Sequence, residues 1–182
     1  MGCITKTGTS TYDKYGGNNV RKERLIENEI NEKLTGDTLK DTLDFVAFMQ
    51  ENGFSFEWWE NGNETGWTPV YDGETLGTIV IASPTYFMLW LGLMFDFKNS
   101  GMIDDDLREF AWAHVAVCPQ ENYCKPPYCE HSKNPFQIFG NEYESACHYP
   151  LIIHDSDAKS FENVKKLLQI YKQNKIDMQH PE

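Results

Sequence analysis

The chain has 182 residues, of which 40% are hydrophobic and 14% aromatic, and its formal net charge is −12. That length suits one domain with its own core, and the composition excludes a wholly disordered chain. The negative charge repels phosphate backbones and anionic membrane surfaces, so we expect neither nucleic acid nor a membrane as a partner.

The first 33 residues are predicted to form a flexible tail with one short helix. Residues 2–19 are rich in Thr, Gly, Ser and Asn and show almost no apolar periodicity, so they cannot offset the entropy of ordering. Leu25, Ile26 and Ile30 fit a short helix that docks on one side. We therefore expect a single folded domain over residues 34–176, followed by a C-terminal tail at 177–182.

The next predicted element is a helix from a cap at Asp37 or Thr38 to Gln50, which Gly53 ends because glycine accepts the left-handed conformation there. Its predicted apolar stripe consists of Leu39, Leu43, Val46 and Ala47. This helix is the first element of the predicted domain.

Four strands are predicted to follow as an antiparallel meander, over residues 54–60, 65–71, 75–82 and 86–97. Asp72-Gly73 is predicted as the turn between the second and third strands. In the first strand, alternation places Phe54, Phe56 and Trp58 on one face and Ser55, Glu57 and Trp59 on the other. The last run is shorter than the roughly 20 residues that a membrane helix needs. Because the N-terminus also lacks the pattern of a signal peptide, we expect a cytoplasmic protein.

The second half is predicted to hold two helices and two short strands. Acidic residues at 104–106 suit the start of a helix, and strands are predicted at 115–117 and 151–154. A final helix after Asp155 or Ser156 is predicted to bury the stripe Phe161, Val164, Leu168 and Tyr171. Together the elements predict an α+β fold, an antiparallel β-meander sheet with helices packed on one face.

A cysteine-rich segment is the first candidate site, and its members are Cys118, Cys124, Cys129 and Cys147. Zinc binds four tetrahedral thiolate or imidazole ligands, so the cluster predicts a structural zinc site. Its spacing is looser than that of most structural zinc sites. Two alternatives stay open: free thiols packed as small apolar side chains, and one or two disulfides.

Aromatic and acidic residues on the predicted meander are the second candidate site, and they are Glu57, Trp59, Trp67, Tyr71 and Trp90. Aromatic faces beside carboxylates suit a small cationic or aromatic ligand, which cation–π and charge interactions hold. The alternative is that these aromatic side chains are core residues or cross-strand partners.

The sequence contains no catalytic signature that we recognise. A G-x-S-x-G elbow, a phosphate-binding glycine loop, an H-E-x-x-H helix and a dinucleotide fingerprint are all missing. We therefore expect no identifiable catalytic chemistry, although catalytic groups often meet only in the folded protein.

Several short motifs late in the chain resemble an uncharacterised bacterial family, a domain of unknown function. The motifs are residues 110–114 before Cys118, residues 138–143 leading to Cys147 in the pattern I-F-G-x-E-[FY]-x-x-x-C, and residues 155–158 before 164–168. The family implies no assigned reaction. It is distantly similar in architecture to gyrase-inhibitor-like ligand-binding domains, which implies a ligand-binding fold. In the family the cysteine segment is short and glycine-rich, whereas here prolines stiffen it.

These observations predict a small-molecule-binding or sensing domain. The second hypothesis is a zinc-stabilised module that contacts a protein partner through the cysteine-rich loop, and the third is an enzyme without a recognisable motif.

Overall fold

The computed structural model describes residues 24–61, 64–84, 86–92, 103–117, 136–143, 146–154 and 157–179. Its helices are α1 (Ile26–Lys33), α2 (Gly36–Glu51), α3 (Asp105–Ala113) and α4 (Ala158–Gln179). Its strands are β1 (Ser55–Asn61), β2 (Glu64–Tyr71), β3 (Glu74–Thr75), β4 (Gly77–Ser83), β5 (Tyr86–Leu91), β6 (Val115–Val117), β7 (Phe136–Ile138), β8 (Asn141–Tyr143) and β9 (Ala146–His154). Among the described residues, no helix combines the length and hydrophobicity needed to cross a membrane.

One large sheet dominates the fold, with the strand order β1-β2-β4-β5-β9-β6 and β3 paired to β2. Its strands pair antiparallel throughout. The predicted meander corresponds to β1 through β5, and the α+β fold class is confirmed. A separate hairpin of β7 and β8 was not predicted, and its turn uses left-handed backbone at Phe139 (φ 49°) and Gly140 (φ 91°).

The strand register defines which face of the sheet is buried. Going across the sheet, one row of paired residues contains Trp58, Trp67, Ile79, Leu89 and Ile153. Apart from the partly buried Trp58, the members of this row are buried in the core. Since side chains alternate along a strand, the immediate neighbours of these residues point to the opposite face.

Aromatic packing joins the helices to this buried face. The ring of Phe45 on α2 stacks on that of Phe161 on α4, with centroids 4.7 Å apart. Phe87 on β5 contacts both rings edge-on, at 6.4 Å from Phe45 and 5.3 Å from Phe161. The core therefore lies between α2, α4 and the sheet.

The buried stripe of α2 differs from the predicted one. Its buried residues are Thr42, Phe45, Val46 and Met49, so the predicted set is right only at Val46. Leu39 and Leu43 pack at the edge of the core, and Ala47 is exposed. The true stripe also has helical spacing, and the sequence alone does not decide between two stripes that overlap at one residue.

Helix α1 belongs to the folded core. Ile26, Ile30 and Leu34 are 2%, 0% and 1% exposed. The folded part therefore includes residues ahead of the predicted domain start at 34. At the other end α4 continues to Gln179, beyond the predicted domain end at 176.

The two later helices begin at aspartates whose side chains accept backbone hydrogen bonds. Asp104 Oδ1 accepts from the Leu107 N–H at 2.7 Å, and Asp157 Oδ1 accepts from the Ser160 N–H at 2.7 Å. Such caps satisfy N–H groups that lack a partner within the helix. The predicted stripe of α4 is buried, together with Leu167 and Ile170.

Candidate functional site

The five predicted ligand-binding residues divide between the two faces of the sheet. Glu57 and Trp59 flank Trp58, and Trp90 follows Leu89, so these three side chains lie on the face opposite the helices. Trp67 pairs with Trp58 and lies on the helix-covered face, as does Tyr71 four residues later. The structure therefore does not bring the five together into one site.

Trp67 is a core residue that connects the sheet to α1. It is 2% exposed, and its Nε1 donates a hydrogen bond to Glu29 Oε2 at 2.7 Å. The other carboxylate oxygen of Glu29 accepts from Lys33 Nζ at 2.6 Å, and Lys33 Nζ also donates to the Ile81 carbonyl at 2.9 Å. Its burial and this network explain Trp67 as a core residue, in agreement with the alternative interpretation that the aromatic side chains belong to the core.

The Trp59 ring lies against β2 on the face of the sheet opposite the helices. A Cβ atom at Gly66, its cross-strand partner, would lie 2.7 Å from the Trp59 ring and 2.7 Å from the Ile79 carbonyl oxygen. Only glycine leaves room for this close approach of ring and backbone. Trp59 and Trp90 are half-buried there, and Glu57 is exposed.

Tyr71 lines a cleft at the end of the sheet, beside the last turns of α4. The cleft has a volume of about 340 Å³, and its lining residues are Gly53, Tyr71, Asp72, Lys175 and Ile176. This volume falls at the lower end of the range of small-ligand sites. We refer to it as the α4 cleft.

Three segments of the chain meet at the α4 cleft, and two of them are turns with left-handed backbone. Gly53 follows α2 with φ 86°, and Asp72 and Gly73 connect β2 to β3 with φ 51° and 76°. Glycine and aspartate tolerate this left-handed backbone, so both turns can be tight. The third contribution comes from Lys175 and Ile176 in the final turns of α4.

Two aromatic rings pack against Tyr71, the aromatic residue that lines the cleft. The Tyr71 ring lies 4.8 Å from that of the buried Phe54 and 6.1 Å from that of Tyr171. Lys172 Nζ lies 5.7 Å from the centre of the Tyr71 ring and donates to Asn52 Oδ1 at 3.0 Å. Packing against Phe54 and Tyr171 fixes the orientation of the Tyr71 ring.

A carboxylate next to the cleft holds a lysine and a tyrosine. Lys175 Nζ lies 2.5 Å from Glu74 Oε2, and the Tyr171 hydroxyl donates to the same oxygen at 3.0 Å. Hydrogen bonds from Lys175 and then from Tyr171 hold the pKa of the Glu74 carboxyl below its usual value. Burial, and then the hydrogen bond to Glu74, raises the pKa of the Tyr171 hydroxyl.

Of the residues that line the cleft, the set of ligand-binding residues predicted from the sequence contains only Tyr71. Tyr171 and Lys175 are four residues apart on α4, which places both side chains on one side of that helix. The turns at Gly53 and Asp72 were also predicted. The missing information was that these three separate segments meet in space.

The predicted zinc ligands fall largely outside the described residues. Cys118, Cys124 and Cys129 lie in a stretch that the structure does not describe, and Cys147 lies on β9. Within the described ranges, no group of three or more His, Cys, Asp or Glu side chains is placed to hold a metal ion. The zinc site and its alternatives therefore stay predictions from the sequence.

Comparisons of the chain with protein-family models, curated proteins and solved structures found no match. The resemblance to the uncharacterised bacterial family thus rests on the short motifs alone.

Proposed function

We propose that this protein is a small-molecule-binding or sensing domain and that the α4 cleft is its ligand site. The observation that carries the proposal is an open cavity of about 340 Å³ whose lining combines the aromatic Tyr71 with the charged Asp72 and Lys175. Small-ligand sites combine an apolar or aromatic wall with a few placed polar groups. In this open cleft the lining is more polar than apolar, which suits a small charged ligand. The proposal places the protein in the cytoplasm, as the sequence predicts.

The helix dipole of α4 and the Tyr71 ring favour a ligand with a positive group at the cleft. Asp72 and Lys175 line the cleft, with Glu74 beside Lys175 and Lys172 beside the Tyr71 ring. The cleft also lies beside the C-terminal turns of α4, where the helix dipole is negative and attracts cations. With the Tyr71 ring as a wall, these features support a small ligand that combines an ammonium group with an aromatic ring.

Isothermal titration calorimetry with phenethylamine, an aromatic ammonium compound, tests the proposal on the full-length protein. Asp72→Asn removes one charge from the cleft, and asparagine tolerates the left-handed backbone of that position. We expect this variant to bind the amine about two- to five-fold more weakly, the size of an exposed charge pair.

Glu57→Gln is the matched variant. It also removes one negative charge, but on the opposite face of the sheet, beside the predicted residues Trp59 and Trp90. We expect it to leave the affinity unchanged. If Glu57→Gln binds the amine more weakly while Asp72→Asn binds it as tightly as the unaltered protein, the site lies instead on the face that carries Trp59 and Trp90. No binding of the amine by any form of the protein would overturn the proposal.

A further inference from the structure

The surroundings of the Lys175 ammonium group are those of a bound cation. Lys175 Nζ lies 2.5 Å from the Glu74 carboxylate and 5.7 Å from the centre of the Tyr171 ring. A carboxylate combined with the face of an aromatic ring is the arrangement that recognises ammonium ligands. Here the group that fills it belongs to the protein itself.

We infer that Lys175 is an internal competitor: its ammonium group occupies the cation subsite of the α4 cleft, and an ammonium ligand binds by displacing it from Glu74. The inference rests on the proposed function of the cleft, and it adds where the positive group of the ligand binds. Lys175 lines the cleft directly, whereas Glu74 is not among the lining residues. Withdrawal of the lysine side chain therefore extends the cleft to this carboxylate.

The subsite keeps its shape when the lysine leaves. Glu74 accepts a second hydrogen bond, 3.0 Å long, from the hydroxyl of Tyr171. Tyr171 is 7% exposed, and its ring contacts that of Tyr71, so packing holds the hydroxyl in place. The carboxylate and ring are thus preorganised for any ammonium group that replaces Lys175.

The contact with Lys175 is weak enough for a ligand to replace. The side chains of Lys175 and Glu74 are 22% and 56% exposed, so solvent screens their attraction. Exposed pairs of this kind shift an equilibrium by no more than about five-fold. An intramolecular competitor of that strength lowers the apparent affinity of the ligand by a similar factor.

The test compares two lysines of the same helix. Lys175→Met vacates the subsite and keeps the aliphatic stem of the side chain. Lys165→Met is its match, because Lys165 Nζ pairs with Glu162 at 2.7 Å and lies 5.5 Å from the Phe48 ring, ten residues away along α4. Both variants change the net charge equally, so a difference between them reports the position of the lysine.

Calorimetry uses phenethylamine and its neutral analogue 2-phenylethanol at fixed ionic strength, with circular dichroism of each variant to confirm folding. We expect Lys175→Met to bind the amine about two- to five-fold more tightly than the unaltered protein, with no gain for the alcohol. Lys165→Met is expected to match the unaltered protein. In Lys175→Met combined with Glu74→Gln, the gain for the amine is expected to disappear.

The outcomes separate the two proposals. If the unaltered protein binds the amine and Lys175→Met binds it equally or more weakly, the competitor role is wrong and the ligand-binding function stands. A gain that persists without the Glu74 carboxylate also overturns the role. If neither form binds the amine, the proposed function fails as well.

Discussion

We expect the hydrogen bond between the Trp67 indole and the Glu29 carboxylate to make a measurable contribution to stability. We expect Trp67→Phe to destabilise the protein, because the substitution removes an indole N–H that donates at 2.7 Å to a carboxylate only 15% exposed. Loss of a hydrogen bond to a charged group costs about 1.5–3 kcal/mol. The smaller ring adds the cost of lost packing at a site that is 2% exposed.

Trp58→Phe is the matched substitution, since Trp58 lies directly opposite Trp67 on the same face of the sheet. Its Nε1 is buried and has no hydrogen-bond partner among the residues that the structure describes. Replacement by phenylalanine therefore breaks no such bond and removes an unpaired buried donor. We expect its free energy of unfolding to change by less than about 1 kcal/mol.

Urea unfolding followed by far-ultraviolet circular dichroism measures both free energies, because tryptophan fluorescence itself changes with the substitutions. A difference of about 1.5–3 kcal/mol between the two variants corresponds to a difference in Tm of roughly 3–12 °C for a chain of this size. Equal losses in the two variants would refute the assignment of this energy to the Glu29 contact.

Three further predictions concern acid stability, a close backbone approach and metal content. Glu74→Gln is expected to reduce the loss of stability on acidification. The folded-state pKa of the Glu74 carboxyl lies below its usual value of 4.5, so the ionised carboxylate stabilises the folded protein above pH 4.5. That stabilisation is lost as the pH falls through the folded-state pKa, and the glutamine variant has none to lose. Urea midpoints compared at neutral and acidic pH measure the effect. Gly66→Ala is expected to cost about 1–3 kcal/mol in the same urea assay, because its Cβ would meet the Ile79 carbonyl at 2.7 Å. Elemental analysis of untagged protein is expected to find about one zinc per chain, lost with stability on chelation; metal-free protein with all 5 cysteines as free thiols would contradict that prediction.

Alternation within a strand could be predicted from the sequence, but the pairing between strands could not. The sequence correctly separates Trp58 from Glu57 and Trp59, since side chains alternate along β1. It does not reveal that Trp67 pairs with Trp58, and this register assigns Trp67 to the core. A shift of one residue would have put Trp67 on the same face as Trp59.

The α4 cleft shows a second limit of prediction. The turns at Gly53 and Asp72 and the buried stripe through Tyr171 were each predicted from local patterns. Their meeting depends on how α4 lies against the sheet, which is a property of the whole core and not of any one segment. The ion pair between Lys175 and Glu74, about 100 residues apart in the chain, has no local signal for the same reason.

Two polar contacts between α1 and the sheet determine how far the protein can be shortened. A form that begins at residue 34 would lose Glu29 and Lys33 and, with them, the partners of the Trp67 indole and the Ile81 carbonyl. It would also expose core surface that Ile26 and Ile30 now cover. The smallest autonomous folding unit must therefore begin upstream of α1, although the sequence predicts that helix as part of a tail outside the domain.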